Sequence, residues 1–255
     1  MKPVYPINEP FPIDTDGKTL GIEGKTYLIK PIGPGTWTSL NENAHREGFR
    51  QASFPEIIAL MNAVIGYTDK RFEKLLRTLT EETIVGNTAI LLSPRGTYVQ
   101  DFPEIKKGRI HMDGKTLDRL LGSLLVNCSL RYSDDLLVRK IIMKDSKELY
   151  NESISSADRS NIAGRDKFAR MCSLPYDEEL ILRAIETNDF LNAGRLKRIA
   201  EQGWGRNRLF VNLIFGSSED EIRIPCLCGK NIHDALIVSD FSENSFDNAY
   251  TIAVK

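Results

Sequence analysis

Two cysteines near the carboxyl end and a nearby histidine form the first set of residues that could bind a metal. One residue separates Cys226 from Cys228, and His233 follows five residues later. Thiolate and imidazole groups are good zinc ligands, but a structural zinc site usually places two residues between paired cysteines and has four ligands. Alternation along a strand puts both cysteines on one face of a sheet, where cysteine is commonly buried. We favour two buried side chains and keep a zinc or thiol enzyme as an alternative.

Cys172 is the other candidate nucleophile, since a catalytic pair need not be close in sequence and His45, His111 or His233 could serve as its base. Its apolar neighbours favour a place in the core. The chain has no Gly-x-Ser-x-Gly, His-Glu-x-x-His or Walker pattern. We therefore expect a protein that is not an enzyme and has no resident cofactor.

A basic segment around a tryptophan is the candidate for contact with nucleic acid. Residues 190–210 contain five cations and one acid. The residues concerned are Arg195, Lys197, Arg198, Trp204, Arg206 and Arg208. Such cations can contact phosphates while an indole stacks on a base, which is how proteins bind single-stranded nucleic acid. A solvated helix face beside a core tryptophan is the other interpretation.

Polar and aromatic residues are concentrated in the connections near the end of the chain. The candidate ligand-binding residues are Lys230, Asn231, His233, Phe241, Glu243, Asn244, Phe246, Asp247 and Asn248. This mixture offers adaptable hydrogen bonds beside rigid apolar area, as in loops that bind varied partners. The oxygens of Glu243, Asn244, Asp247 and Asn248 would also suit calcium. An ordinary hairpin loop has the same composition.

These candidates depend on a sheet formed by the last fifty residues. Four strand-like runs, 208–215, 221–227, 235–240 and 250–254, are separated by turn residues and predict an antiparallel sheet. Earlier in the chain, the patterns predict a strand at 25–30 and a turn at 31–35. They predict helices at 38–45, about 53–65, 71–79 and 115–126. They also predict a hairpin at 88–100 and a further strand at 136–143.

We therefore predict an α+β fold in which helices pack on an antiparallel sheet that is completed by the C-terminal strands. Residues 1–34 are expected to form an extended N-terminal segment with one strand, and residues 35–255 a single domain. A polar loop at 151–164 and two helices after it predict a helical insertion at about 151–203.

Composition narrows the class of protein. The chain has 255 residues, 41% of them hydrophobic, and a net charge of −1, which excludes disordered and collagen-like proteins. The charge balance also lacks the overall basic excess of a dedicated duplex-DNA binder, although a local patch stays open. Four cysteines are too few for a disulfide framework. Without a secretory signal or an apolar run of about 18 residues, we expect a cytoplasmic protein with no membrane span.

Four segments carry a resemblance to known proteins. Residues 48–60, GFRQASFPEIIAL, resemble the W-R-L-P-T-x-x-E-L opening before the first helix of Lcl C-terminal-like domains, which have a C-type-lectin fold. Residues 248–255, NAYTIAVK, are similar to their final strand. With GTWTSLN at 35–41 and GTYVQDFPEI at 96–105, they also resemble a group of archaeal proteins that has no agreed activity.

The resemblance implies a fold in which the terminal strands meet and loops near the chain end form a binding face. It points to the surface formed by residues 229–248. We therefore expect a non-catalytic protein that presents these loops to a protein or glycan partner. Binding of single-stranded nucleic acid, and a zinc or thiol enzyme, are the alternatives.

Overall fold

The computed structural model describes twelve stretches of the chain. They are residues 17–22, 24–64, 70–94, 96–121, 125–126, 130–133, 135, 137–141, 209–212, 220–228, 236–242 and 247–255. The predicted helical insertion at 151–203, and the first sixteen residues of the predicted N-terminal segment, lie outside the described residues. The predicted single domain stays a prediction for the same reason.

Within the described stretches the fold is α+β. The helices are Trp37–Arg46 (α1), Phe54–Val64 (α2), Glu73–Glu81 (α3) and Gly114–Leu120 (α4). The strands before α4 are Thr19–Ile22 (β1), Lys25–Leu28 (β2), Ile32–Gly35 (β3), Arg50–Gln51 (β4), Thr83–Val85 (β5), Thr88–Ser93 (β6), Gly96–Asp101 (β7), Glu104–Lys106 (β8) and Arg109–His111 (β9). The later strands are Leu125–Val126 (β10), Leu130–Tyr132 (β11), Val138–Ile141 (β12), Leu209–Asn212 (β13), Glu221–Cys228 (β14), Leu236–Ser242 (β15), Ala249–Thr251 (β16) and Ala253–Val254 (β17).

β14 is the centre of the largest sheet. It pairs with β15 on one side and with β5 and β6 on the other, so that Cys226 lies opposite both Ser239 and Val85. From β6 the sheet continues through β7, β12, β11 and β10, and from β5 through β16 to β3. The predicted hairpin at 88–100 is confirmed by β6 and β7, which pair from Thr88 with Asp101 to Ser93 with Gly96.

The prediction of an antiparallel sheet from the four C-terminal runs is wrong in two respects. β13 pairs with β15 in parallel, and β16 pairs with β5 in parallel, so the sheet is mixed. Parallel pairing requires a crossover between the strands, and these pairs are separated by other elements along the chain. β17 belongs to a different sheet, in the order β1, β2, β17, β4.

The N-terminal part holds more strands than predicted. β1 and β2 form a hairpin, and β3 occupies the predicted turn at 31–35. β3 is the last strand in its sheet and pairs with β16, and an edge strand tolerates glycine and proline. The predicted helix at 115–126 ends at Leu120, because the backbone of Leu121 is extended. The predicted helices at 38–45, about 53–65 and 71–79 correspond to α1, α2 and α3, with bounds that differ by a few residues.

One apolar cluster joins α1, α4 and the β8–β9 hairpin to the large sheet. Trp37 and Leu40 of α1, Leu117 of α4 and Ile110 of β9 pack with buried residues of β6, β7, β14 and β16. Trp37 also donates its indole N–H to the Gly86 carbonyl at 2.9 Å, which ties α1 to the bend between β5 and β6. Helices packed on a sheet therefore form the core, as the sequence predicts.

Candidate functional site

β15 separates the two groups of predicted ligand-binding residues. The chain enters β15 at Leu236 and leaves it at Ser242, and seven residues of strand place these ends roughly 20 Å apart. The connection that carries Lys230, Asn231 and His233 therefore precedes one end of the strand, and the connection that includes Asp247 follows the other. These three residues, with Glu243, Asn244 and Phe246, lie outside the described residues.

Phe241 belongs to a strand and not to the predicted loop. It pairs with Ile224 within the β14–β15 ladder, which extends to Ser242, two residues beyond the predicted end at 240. Asp247 and Asn248 are exposed, and the next residue, Ala249, is buried at the start of β16. Asp247 and Asn248 are thus the predicted binding residues that the structure shows to be exposed.

One thiol of the predicted zinc site, that of Cys226, lies in the core. Cys226 is buried in the cluster that contains Trp37 and Leu40, which agrees with the favoured interpretation of this residue. Cys228 is two residues further along β14, opposite Thr83 and Ile237. Among the described residues, no group of three His, Cys, Asp or Glu side chains is placed to hold a metal ion.

The remaining predicted residues divide between exposed positions and the undescribed part of the chain. His45 is exposed at the end of α1, and His111 is exposed in β9. Cys172 lies outside the described residues. So do the predicted nucleic-acid contacts Arg195, Lys197, Arg198, Trp204, Arg206 and Arg208.

A polar cluster that sequence analysis did not anticipate links α4 to the sheet. The Tyr98 hydroxyl donates to Asp118 Oδ1 at 3.1 Å, and the Lys140 ammonium donates to the same oxygen at 2.6 Å. Lys140 Nζ also lies 4.5 Å from the centroid of the Tyr98 ring. Since both donors converge on one carboxylate oxygen, the cluster fixes α4 against β7 and β12.

A second cluster is an ion pair buried in the sheet. The Arg139 side chain is 0% exposed and the Asp101 side chain 3% exposed, and two hydrogen bonds of 2.5 and 3.1 Å join them. Thr88 Oγ1 donates to Asp101 Oδ1 at 2.5 Å and accepts the Phe54 N–H at 2.9 Å. The pair therefore connects β12, β7 and β6 to the first turn of α2.

Two adjacent cations, Arg139 and Lys140, are the feature of the sequence that could have indicated the Asp118 cluster and the buried Asp101–Arg139 ion pair. They are adjacent cations in the predicted strand at 136–143, which is otherwise rich in apolar residues. Successive side chains on a strand point to opposite faces, so a buried strand with two such cations requires a polar partner on each face. The sequence does not say which carboxylates these are.

The third cluster surrounds Glu56 at the start of α2. Ser53 caps α2: Ser53 Oγ accepts the Glu56 N–H at 3.4 Å, and the Glu56 carboxylate accepts the Ser53 N–H at 2.8 Å, which is a capping box. Arg50 donates to both carboxylate oxygens at 2.6 and 2.7 Å, and Lys25 donates to one at 2.7 Å. Glu56 thus joins β2, β4 and α2.

Glu56 makes the stability of the fold depend on pH. Burial by itself would raise the pKa of Glu56, but the hydrogen bonds from Arg50, Lys25 and Ser53 outweigh it and lower that pKa to about 2. A lowered pKa in the folded state stabilises the protein above the unfolded-state value, near 4.5, and this contribution is lost as the pH falls toward 2.

We expect Glu56→Gln to lower the free energy of unfolding at pH 7 by about 2–3 kcal/mol and to flatten its decline between pH 5 and 2. Urea unfolding followed by circular dichroism at several pH values measures both effects. Glu47→Gln, at an exposed position after α1, is the matched control and should keep the wild-type profile. Equal slopes for the wild type and Glu56→Gln would contradict the role of this carboxylate.

In the described part of the chain, no helix combines the length and the apolar character that crossing a bilayer requires. Comparison with known proteins found no match to a family model, a curated protein or a solved structure.

Proposed function

We propose that this protein is a non-catalytic binding protein that presents the connection between β15 and β16 to a protein or glycan partner. The observation that carries the proposal is the position of Asp247 and Asn248, which are exposed immediately before the buried residues of β16. A polar segment held by a rigid strand meets a partner with little loss of conformational freedom. Its amide and carboxylate groups offer both donors and acceptors.

The hydrogen bonds of the buried carboxylates of Glu56 and Asp101 indicate that these groups stabilise the fold. Glu56 and Asp101 each accept three or more hydrogen bonds from groups of the same chain. A carboxylate whose oxygens are occupied in this way stabilises the fold and is poorly placed to bind a substrate. This occupancy supports the proposal that exposed polar groups such as Asp247 and Asn248 contact the partner.

The proposal includes a C-type-lectin-like fold. In that fold the terminal strands meet, and Val254 of β17 pairs with Tyr27 of β2. The residues that resemble the opening motif of Lcl C-terminal-like domains also contact one another, since Arg50 and Ser53 both bond to Glu56. We further propose a cytoplasmic location, where thiols such as that of Cys226 stay reduced.

The test is a double variant, Asp247→Ala with Asn248→Ala. We expect it to reduce binding to the partner at least about tenfold, because the variant removes the exposed polar groups and leaves the buried strand intact. Wild type and variant are compared as baits in quantitative affinity purification from the native cell extract, and on a glycan array. The free energy of unfolding should change by less than about 0.5 kcal/mol.

Glu42→Ala with Arg46→Ala is the matched control. It removes an exposed ion pair from α1, where the side chains are 61% and 74% exposed. The control should retain each partner or glycan captured by the wild type. Capture of the same partner in equal amounts by all three proteins would refute the proposed binding segment.

A further inference from the structure

The β8–β9 hairpin has one charged face and one apolar face. Its register pairs Glu104 with His111 and Lys106 with Arg109, so these four side chains share one face of the ribbon. All four are exposed. Ile110 lies on the opposite face and is buried in the core cluster. The hairpin is therefore anchored through its apolar face and presents the charged one to solvent.

The turn of this hairpin adds a third cation where the backbone does not favour one. Lys107 and Gly108 have φ angles of 52° and 77°, and a two-residue turn with both angles positive is of type I′. Asparagine, aspartate or glycine is preferred at the first of these positions, because a Cβ atom crowds the backbone at positive φ and these residues tolerate that conformation best. Turn stability therefore does not account for lysine at position 107.

The segment that contains the β8–β9 hairpin and α4 has more exposed cations than exposed carboxylates, although the whole chain has a net charge of −1. Between residues 104 and 120 the exposed cations are Lys106, Lys107, Arg109, Lys115 and Arg119. The exposed carboxylates in this range are Glu104 and Asp113. The Asp113 carboxylate caps α4 by accepting hydrogen bonds from the Thr116 N–H and the Thr116 hydroxyl, so it has partners within its own helix. Glu104 Oε2 lies 2.9 Å from Lys106 Nζ, so these two side chains form an ion pair.

We propose that the β8–β9 hairpin binds the phosphate backbone of duplex DNA, with Lys106, Lys107 and Arg109 as the contacting residues. A two-stranded ribbon fits the major groove. Duplex DNA carries one negative charge per 1.7 Å or so of its axis, so Lys107 and Arg109 can reach phosphates at the same time, and Lys106 would exchange the Glu104 carboxylate for a phosphate. This surface is independent of the proposed binding segment at Asp247 and Asn248, and the inference does not rest on that segment.

The experiment measures binding of the full chain to a fluorescein-labelled 20-base-pair duplex of mixed sequence by fluorescence anisotropy, at several salt concentrations. Three phosphate contacts predict a slope of about −2.7 for the logarithm of the association constant against the logarithm of salt. The triple variant Lys106→Gln, Lys107→Gln, Arg109→Gln should bind at least about tenfold more weakly, with a slope near zero. Lys106→Arg with Lys107→Arg should retain binding, because the charge is kept.

Two further variants distinguish direct contact with DNA from an effect of the net charge of the protein and from an effect on the stability of the fold. Lys30→Gln, Arg46→Gln, Lys74→Gln removes the same number of exposed cations elsewhere and should bind as the wild type does. Lys107→Asn should raise the unfolding temperature, because asparagine suits the turn, and yet flatten the salt slope by about 0.9.

The inference is overturned if the two triple variants bind the duplex equally, or if binding by the wild type does not depend on salt. It is also overturned if a single-stranded 20-mer or a polyglutamate peptide binds more tightly than the duplex and this preference is lost in the hairpin variant. The first of these partners would make the hairpin a contact for unpaired strands, and the second a contact for acidic proteins.

Discussion

Replacement of Arg139 by methionine is expected to lower the free energy of unfolding by about 3–5 kcal/mol. The Arg139 and Asp101 side chains are almost completely buried and are joined by two hydrogen bonds. Without the guanidinium, the Asp101 carboxyl group would be left in a place from which water is excluded, with the Thr88 hydroxyl as its remaining side-chain donor among the described residues. Urea unfolding at pH 7, followed by circular dichroism, gives the measurement.

The double variant Asp101→Leu with Arg139→Met decides whether the cost comes from the unpaired charge. Replacement of a whole buried ion pair by apolar side chains is often close to neutral, so the double variant should be more stable than Arg139→Met alone. The two single changes should then be non-additive by about 1–3 kcal/mol. Additive effects, or a loss below about 1 kcal/mol for Arg139→Met, would rule out the pair as a unit.

Replacement of Gly86 by alanine is the second change with a large expected effect. A Cβ atom at this position would lie 2.6 Å from the Phe54 nitrogen, 2.9 Å from the Ser53 carbonyl carbon and 3.0 Å from the Ala52 oxygen. These are backbone atoms and cannot move aside as a side chain would. We expect a loss of about 3 kcal/mol, at the upper end of the usual cost of overpacking.

The strain at Gly86 should also reach the elements that meet there. The Gly86 carbonyl accepts the Trp37 indole N–H, and the Asn87 N–H bonds to the Ala52 carbonyl at 2.7 Å. A shift of the bend between β5 and β6 would disturb both bonds. Thermal unfolding and near-ultraviolet circular dichroism should therefore change together in Gly86→Ala.

Gly114→Ala is the matched control for this effect. A Cβ atom at Gly114 would lie 3.7 Å or more from its nearest neighbours, which belong to the Tyr98 side chain, and this is ordinary contact. Alanine also reduces the freedom of the unfolded chain, so this change should raise stability by about 0.4–1 kcal/mol. If Gly86→Ala were tolerated as well as Gly114→Ala, the close approach of the bend to residues 52–54 would be wrong.

Local signals predicted the parts of this fold that local interactions stabilise. The β6–β7 hairpin was predictable because two strand-like runs flank a Pro/Gly turn and pair directly with each other. The cap at Ser53 was predictable because Glu56 stands three residues later, and these two residues complete each other's hydrogen bonds. In both cases the partners are neighbours along the chain.

Partners that are distant along the chain were not predictable in the same way. β3 looks like a turn in sequence, and it becomes a strand because β16, more than two hundred residues later, supplies its partner. Asp101 and Arg139 are charged residues whose pairing depends on the register of β7 against β12. The predicted binding residues were grouped by sequence, and the β14–β15 ladder places their connections at opposite ends of β15.

The sequence by itself determined the α+β class, the cap at Ser53, the β6–β7 hairpin and the burial of Cys226, since hydrophobic periodicity and turn chemistry act over a few residues. Only the tertiary structure decided the mixed order of the sheet, the partners of the buried charges and the exposed face of the β8–β9 hairpin. The physical reason is that strand pairing joins residues of any separation, and each pairing determines which side chains face the core and which face solvent.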